Sequence, residues 1–514
     1  MTAAGAGRAL LAVAAGAGTV FGFAPFDLPG VPIVTFGLLM TLWLYASPRS
    51  AAWSGFGFGL GLFGAGASWV YIALNTFGGM PMLLAAVGTA IWTAYLAFFP
   101  ALTGWLATRF TATGSLPRAL AAAAIWTLAE IFRGSGYTGF PWLALGYAQL
   151  PPEGAASPLA GYATLGGVWL VTLAVTLAGS ALALAVNAFA APARLRGLAL
   201  LLGGAAIAGG GGVAARIDWT APAGAPVAVS LVQGNVPQAT KFDPNLRDET
   251  FKLYVDLVSQ SRGRLVVLPE SAFPVFADEV PDPVLLHLLH TATARGGDLL
   301  AGMFTAEPPL PGREEPRYYN SVVSLGTGGV QLYRKRHLVP FGETIPLAPL
   351  VGWFIRSVLA IPLAEQTPGD WTQPTMAVAG QRVAVNICYE DAFGGELRGE
   401  AATATLLVNV TNDAWYGRSL AAVQHNQIAA MRALELGRPL LRATNTGITS
   451  AIDHHGHEIA RLPWFTRGIL ELDIAGRQGA TPYVRWGDAV TLALAALLFA
   501  VAMVAGRVSG RMKA

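Results

Sequence analysis

Charge is what this sequence has least of. Only 12% of its 514 residues are Asp, Glu, Lys or Arg, while 54% are hydrophobic. A soluble domain carries about 25% charged residues. The deficit excludes an ordinary water-soluble enzyme, and the apolar content excludes a disordered polar chain. The formal net charge is only +3 and the basic residues are scattered, which excludes a nucleic-acid footprint. Cysteine is nearly absent as well, Cys388 being the single one. No internal disulfide can form, so that thiol is either an inert core residue or a used one. Lysine is missing from positions 1–215, where the charged residues are Arg8, Asp27, Arg49, Arg109, Arg118, Glu130, Arg133, Glu153, Arg194 and Arg196. From Arg216 to Arg485 the charge density is that of a soluble domain. After Trp486 the chain turns apolar again and ends in Arg507, Arg511 and Lys513. The average therefore mixes a membrane part with a water part.

A helix needs about 20 apolar residues to cross a bilayer core. Apolar runs between charges and Pro/Gly breaks predict seven spans near 8–24, 30–46, 51–74, 82–107, 118–133, 159–189 and 197–215. An eighth lies near 487–506. The first run resembles a signal peptide, but six more spans follow it and no polar cleavage region intervenes, so it is read as a retained helix. With the N-terminus inside, the inner side holds Arg8, Arg49, Arg109, Arg118, Arg194, Arg196, Arg507, Arg511 and Lys513, and the outer segments only Arg133 and Arg216. That asymmetry follows the positive-inside rule. The expected domains are then 1–216 in the membrane, 217–486 outside the cytoplasm, and 487–514 as a returning helix with a short cytoplasmic tail.

Within 217–486, short apolar runs predict strands at 227–232, 265–268, 299–303, 321–325, 383–387, 406–410, 440–443 and 469–472. Helical patterns at 244–261, 283–295 and 421–436 separate several of them. Strands alternating with helices, then paired strands, point to an α/β layered sandwich.

Three residues at strand ends could carry chemistry. Cys388 closes the run 383–387 and precedes Tyr389, Glu390 and Asp391. A nucleophilic thiol needs a base or a positive neighbour, whereas the commoner fate of a free cysteine is that of a small buried hydrophobe. Glu270 follows Val266-Val267-Leu268-Pro269. A partly desolvated carboxylate there can act as a base, or it is simply a solvated loop residue. Lys335 lies in the run Tyr333 to Glu343. It is read as part of a solvated basic face, as a contact for anionic headgroups, or as a cation facing a developing oxyanion, with Glu343 holding it. The residues taken singly leave these alternatives open.

Taken together, Glu270, Lys335 and Cys388, in that order and with these flanks, resemble the nitrilase/amidase superfamily. The whole chain resembles its membrane-bound branch, the apolipoprotein N-acyltransferase family. The segments that carry the likeness are 232–238, Leu268-Pro269-Glu270, Tyr319-Asn320-Ser321, Tyr333 to Glu343, Ile387-Cys388-Tyr389-Glu390, 412–417, 442–447 and Phe140-Pro141-Trp142. Two departures occur. Leu268 stands where the family often has Trp before Pro-Glu, and Phe242 where it often has Trp after Lys. The second removes any substrate contact that needs an indole N–H.

The resemblance implies eight transmembrane helices plus a nitrilase-like αββα sandwich. It also implies transfer of a fatty acyl chain from a phospholipid, phosphatidylethanolamine-like, to the α-amine of a lipoprotein's N-terminal diacylglyceryl-cysteine. Glu270 is then the base, Cys388 the acyl carrier through a thioester, and Lys335 the oxyanion partner, with no cofactor and no metal. The implied setting is a monomer in the cytoplasmic (inner) membrane. Glu343, Glu390, Tyr389, Asn320, Trp415 and Tyr416 are supporting or substrate-contacting candidates, set against turn chemistry for Asn320 and packing for the aromatics. The apolar stretch 349–363, with Arg356 its only charge, is read as an interfacial lid or a buried loop. His454, His455 and His457 are read as a polar hairpin turn rather than a metal site. Two other classes compete. A membrane-anchored amidase using water needs only one or two anchor helices, and a transporter needs more intramembrane ionisable groups than Glu130 and Arg133.

Overall fold

In the computed structural model the residues described are 3–135, 139–309, 311–312, 316–345 and 366–511. The expected lid, 349–363, lies outside the described residues. The chain forms two compact units. One is helical and comprises Met1–Tyr71, Pro81–Asp218 and Arg485–Ala514; the other comprises Ile72–Met80 and Trp219–Val484.

Each apolar run of the helical unit is a helix: Ala3–Thr19, Val31–Leu44, Pro48–Gly66, Met82–Arg109, Leu116–Ser135, Ala163–Ala190, Arg194–Ala214 and Ala489–Arg511. Among the described residues, Met82–Arg109, Pro158–Ala190, Arg194–Ala214 and Ala489–Gly506 are long and apolar enough to cross a membrane. Pro48–Gly66 with Val70–Phe77, bent by 58°, adds a fifth if counted as one span. The first two helices are apolar but short, and Leu116–Ser135 carries three charges. All three are buried and hydrogen-bonded. Arg118 donates to the carbonyls of Trp43, Leu44 and Ala46 at 3.0, 3.0 and 3.2 Å, closing the end of the second helix. Glu130 accepts from Trp126 Nε1, the Leu145 amide and Thr172 Oγ1 at 2.9, 3.2 and 2.8 Å. Arg133 donates to the carbonyls of Phe140 and Trp142. Small residues let helices touch: a Cβ on Gly55 would sit 2.3 Å from the Pro100 carbonyl oxygen.

The second unit contains two sheets. The first has the order β13-β1-β2-β4-β5-β6, with β3 also on β4. Its strands are β1 Thr220–Gln233, β2 Leu265–Val267, β3 Phe273–Phe276, β4 Asp298–Glu307, β5 Arg317–Gly326, β6 Leu332–Arg334 and β13 Gly468–Gly479. The second has the order β12-β11-β10-β9-β8-β7. It comprises β7 Met376–Val378, β8 Gln381–Ile387, β9 Leu406–Thr411, β10 Leu440–Thr444, β11 Ser450–Ile452 and β12 Glu458–Arg461. The period of two along each strand divides their side chains. Val229, Leu231, Leu265, Val267 and Leu300 pack against Val383, Val385, Ile387, Val408 and Val410 of the other sheet. Val266, Leu268, Leu299 and Ala301 turn the other way, onto Phe251, Tyr254 and Leu288 of the helices Arg247–Gln260 and Asp282–Ala294. The helices Gly394–Ala401 and Leu420–Leu436 pack on the second sheet. The result is the layered α/β sandwich expected. The histidine stretch is the hairpin turn: β11 and β12 pair antiparallel, and the Asp453 carboxylate accepts the amides of His455 and His457, both at 2.9 Å.

One glycine of β4 sits against the strand end that carries Glu270. A Cβ on Gly302 would lie 2.4 Å from the Pro269 carbonyl oxygen and 2.8 Å from the Glu270 Cα. Gly302→Ala is expected to overpack this corner by about 1–3 kcal/mol. That lowers the melting temperature in detergent by about 2 °C or more, with the transfer activity falling further than the stability loss explains.

Candidate functional site

The site is built where strands of both sheets end. Val267 closes β2, and Pro269 cannot extend the ladder, so the chain leaves the sheet at Glu270. Ser271 follows in a left-handed conformation, φ +48°. Glu270 is buried. Its Oε1 accepts Asn320 Nδ2 at 2.7 Å and lies 3.5 Å from Lys335 Nζ. Asn320 comes from β5, and its carbonyl accepts the Lys335 amide at 2.8 Å just past the end of β6. One residue of β5 therefore sets both the base candidate and the lysine.

Lys335 is 1% exposed, and its ammonium also meets Glu343 Oε1 at 2.7 Å. Glu343 uses its other oxygen on the Val339 amide at 2.8 Å. Burial pulls the Lys335 pKa down, but Glu343, Glu270 and Cys388 outweigh it and hold the amine above the ordinary lysine range. The two carboxylates beside it thus favour the charged form of the lysine.

Cys388 follows β8 and is buried at φ +52°. That is a left-handed conformation rarely adopted by a residue with a side chain. Burial, with Glu270 second, pushes its thiol pKa well up, while Lys335 pulls it back. The resting sulfur is thus a thiol. Glu390, fully buried, ties this turn to the lysine. It accepts the Ile387 amide at 2.7 Å, the Arg336 and His337 amides at 2.7 and 3.2 Å, and the Tyr333 hydroxyl at 2.9 Å. It therefore acts on the backbone immediately before Cys388 and immediately after Lys335.

The remaining candidates are placed around this centre. Tyr389 packs edge-on against His337 and Phe393, with ring centroids 5.8 and 5.1 Å away. Tyr416 lies near Cys388; burial, with Cys388 and Asp413 as neighbours, drives its hydroxyl pKa well above the usual range. Trp415 meets Phe77 at 6.3 Å, from the Ile72–Met80 segment. Phe242 rests on Phe304 at 6.4 Å, an apolar role that needs no indole N–H.

Sequence reasoning missed two features. Lys241, 2% exposed, donates from Nζ to the Glu270 carbonyl at 3.0 Å. Burial lowers its pKa to about 8, against the pull of Glu270 and Cys388. A lysine beside an apolar residue gives no sign of this, because its burial depends on the loop between β1 and the next helix folding inward. The other is a buried cluster of Asp391, Asp413, His425 and Arg442 beside Cys388. Its signal was present: Asn386, Asn409 and Arg442 interrupt three otherwise apolar strands.

Comparison with known proteins bears on this geometry. Residues 15–181 match the family described as Apolipoprotein N-acyltransferase N-terminal domain, and residues 228–483 match Carbon-nitrogen hydrolase. The apolipoprotein N-acyltransferase of Nitrosomonas europaea is 46% identical over 509 residues, covering 98% of this chain and 99% of that one. That of Methylococcus capsulatus is 42% identical over 489 residues, covering 95% and 94%. That of Ralstonia nicotianae is 43% identical over 472 residues, covering 90% and 86%. With both parts matched and relatives aligned over nearly the full length, this chain belongs to the apolipoprotein N-acyltransferase family, its sheet unit being of the carbon-nitrogen hydrolase type.

Proposed function

We propose that the chain moves a fatty acyl group from a membrane phospholipid, of the phosphatidylethanolamine kind, to the N-terminal α-amine of a diacylglyceryl-cysteine lipoprotein. The observation that carries this reading is the buried Glu270–Lys335–Glu343 ion-pair chain, with the charges of Glu270 and Lys335 both felt by a lone thiol on a left-handed turn. The names of the relatives supply the acceptor class.

The chemistry balances with these residues alone. Glu270 takes the Cys388 proton as sulfur attacks the donor's ester carbonyl. The thiol is protonated at rest, so proton removal and attack are coupled. Lys335 and the Tyr389 amide face the oxyanion. The carbon–oxygen bond to the glycerol breaks, the departing alkoxide takes the proton from Glu270, and lysophospholipid leaves a thioester on Cys388. The acceptor amine then attacks that carbonyl, Glu270 receives its proton, and the proton passes to the departing Cys388 sulfur. An amide forms and the thiol returns. Glu343 keeps Lys335 oriented, Asn320 keeps Glu270 oriented, and Glu390 sets the spacing between the two loops. Tyr389, Trp415 and Tyr416 are substrate-contacting candidates on the thiol's side.

The helical unit fits lipid substrates. Drawing an acyl chain into water costs about 0.8 kcal/mol per CH₂, so the chain must arrive laterally from a bilayer. We assign eight spans, with 1–216 and 487–514 in the cytoplasmic membrane, both termini cytoplasmic, and 217–486 extracytoplasmic as a monomeric enzyme's catalytic domain. The arginine asymmetry supports this orientation.

Incubating the purified enzyme with phospholipid should add one acyl mass to the Cys388 peptide, removable by hydroxylamine. An unmodified Cys388, together with full activity in Cys388→Ser, overturns the scheme. Glu270→Gln and Lys335→Met should each slow acyl-enzyme formation by about 10²–10⁴-fold. Single-turnover kinetics should place the loss in kcat rather than KM, and wild-type rates in either variant would remove that residue from the chemistry.

A further inference from the structure

The strand periodicity that buries apolar side chains between the sheets places a polar row on the opposite face of the second sheet. Asn386 of β8, Asn409 of β9 and Arg442 of β10 stand in register, each opposite the next. Over them lies the helix Leu420–Leu436, which carries His425. The His425 Nδ1 is 2.8 Å from Asp413 Oδ1, and its Nε2 is 2.8 Å from Asp391 Oδ1. A ring nitrogen facing a carboxylate must donate, so a histidine with carboxylates on both nitrogens is an imidazolium. Arg442 completes the cluster. It donates to Asp391 Oδ2 at 2.8 Å, to Asn409 Oδ1 at 2.9 Å and to Asp413 Oδ2 at 3.1 Å. Two cations and two anions, all almost wholly buried, cancel.

The cluster touches the nucleophile at one atom. The Cys388 carbonyl oxygen lies 3.3 Å from His425 Nε2 and 3.2 Å from Asn409 Nδ2. Asn409 Nδ2 is itself held by Asn386 Oδ1 at 2.5 Å. A non-glycine residue in the left-handed region costs about 1–3 kcal/mol and persists only where its surroundings over-determine it. The Asn409 amide, and the His425 Nε2–H that the carbonyl shares with Asp391 Oδ1, do so here.

We propose that Arg442, Asp391, His425 and Asp413 form a charge-neutral positioning device, which grips the Cys388 carbonyl, keeps residue 388 left-handed and shields the thiol from the carboxylate of Asp413. The proposal rests on Cys388 being the nucleophile. The titratable groups that face the thiol are Glu270, Lys335, Lys241, Tyr416 and Asp413. Of these only Asp413 belongs to the cluster. Those facing His425 are Asp391, Asp413 and Arg442. Burial and Arg442 lower the His425 pKa, but the two aspartates outweigh them and raise it to about 9, which agrees with the double donation.

The test uses the full-length enzyme in detergent, and it is site-specific because Cys388 is the only cysteine. The rate of alkylation by iodoacetamide is followed against pH. His425→Gln removes one positive charge and leaves an unmatched carboxylate near the sulfur. Its profile should move alkaline by about one unit, making alkylation roughly tenfold slower on the acid side. The charge-neutral double variant His425→Gln/Asp413→Asn should move back toward wild type, and it serves if the single variant does not fold. Asn409→Ala removes a carbonyl donor without changing charge, so its rate should fall with the profile unmoved. A wild-type profile in His425→Gln, a double variant no closer to wild type than the single, or a shifted profile in Asn409→Ala overturns the proposal. Because the readout is alkylation, a wild-type enzyme that alkylates normally but never gains an acyl group would sink the proposed function without touching this result.

Discussion

The site depends on one buried carboxylate more than on any other group. Glu390 gathers amides from both sheets: Ile387 from the strand before the thiol, and Arg336 and His337 from the loop after the lysine. A buried amide left without its acceptor costs about 1–3 kcal/mol, so these three donors and the Tyr333 hydroxyl hold the two loops at a single separation. Neither strand end alone determines how far Lys335 stands from Cys388. Burial pushes the Glu390 carboxyl pKa upward, against Arg336 and the amide donors. This is the usual tension of a buried acceptor surrounded by hydrogen-bond donors.

Around that tie the charges are balanced in groups. Lys335 lies between Glu270 and Glu343, Arg336 pairs with Glu400 at 2.8 Å, and His425 with Arg442 answers Asp391 and Asp413. Buried charges are tolerated only when paired and hydrogen-bonded. Lys241 and Arg438 depart from this: both donate to neutral carbonyls, and burial lowers their pKa values to about 8 and about 10. The same logic runs through the helical unit, where Arg118 and Arg133 satisfy carbonyls at helix ends and loops. In a low-dielectric setting such residues are structural fasteners, which explains why so few charges are enough there.

Much of this was legible in the chain. The apolar runs marked each long helix, and the short Val/Leu runs marked eight strands, although β1 begins seven residues before and β13 ends seven residues after the runs that marked them. The short strands β3, β6 and β7 were not legible. Their three or four residues carry too little pattern, and they form because longer neighbours offer free edges. Glu270, Lys335 and Cys388 could be located at strand ends or the turns after them, but the choice of these three as a set came from their order and flanks, which resemble the nitrilase/amidase superfamily. The His425 cluster was passed over because Asp391 was noted only as a neighbour of Cys388, Arg442 only within the segment 442–447, and His425 lay inside the helical pattern 421–436, positions that only the packed fold brings together.

Composition and periodicity determine the division into an uncharged helical part and a normally charged layered part, since burial in lipid or in a sheet leaves its period on the residue order. They also determine which residues stand at strand ends. The tertiary fold alone decided which of those ends meet. Asn320 reaching Glu270, Glu390 accepting from Arg336, and His425 descending on the Cys388 carbonyl join residues 50, 54 and 37 positions apart. No local propensity encodes such contacts, because they exist only once two sheets have packed and removed water from between their partners.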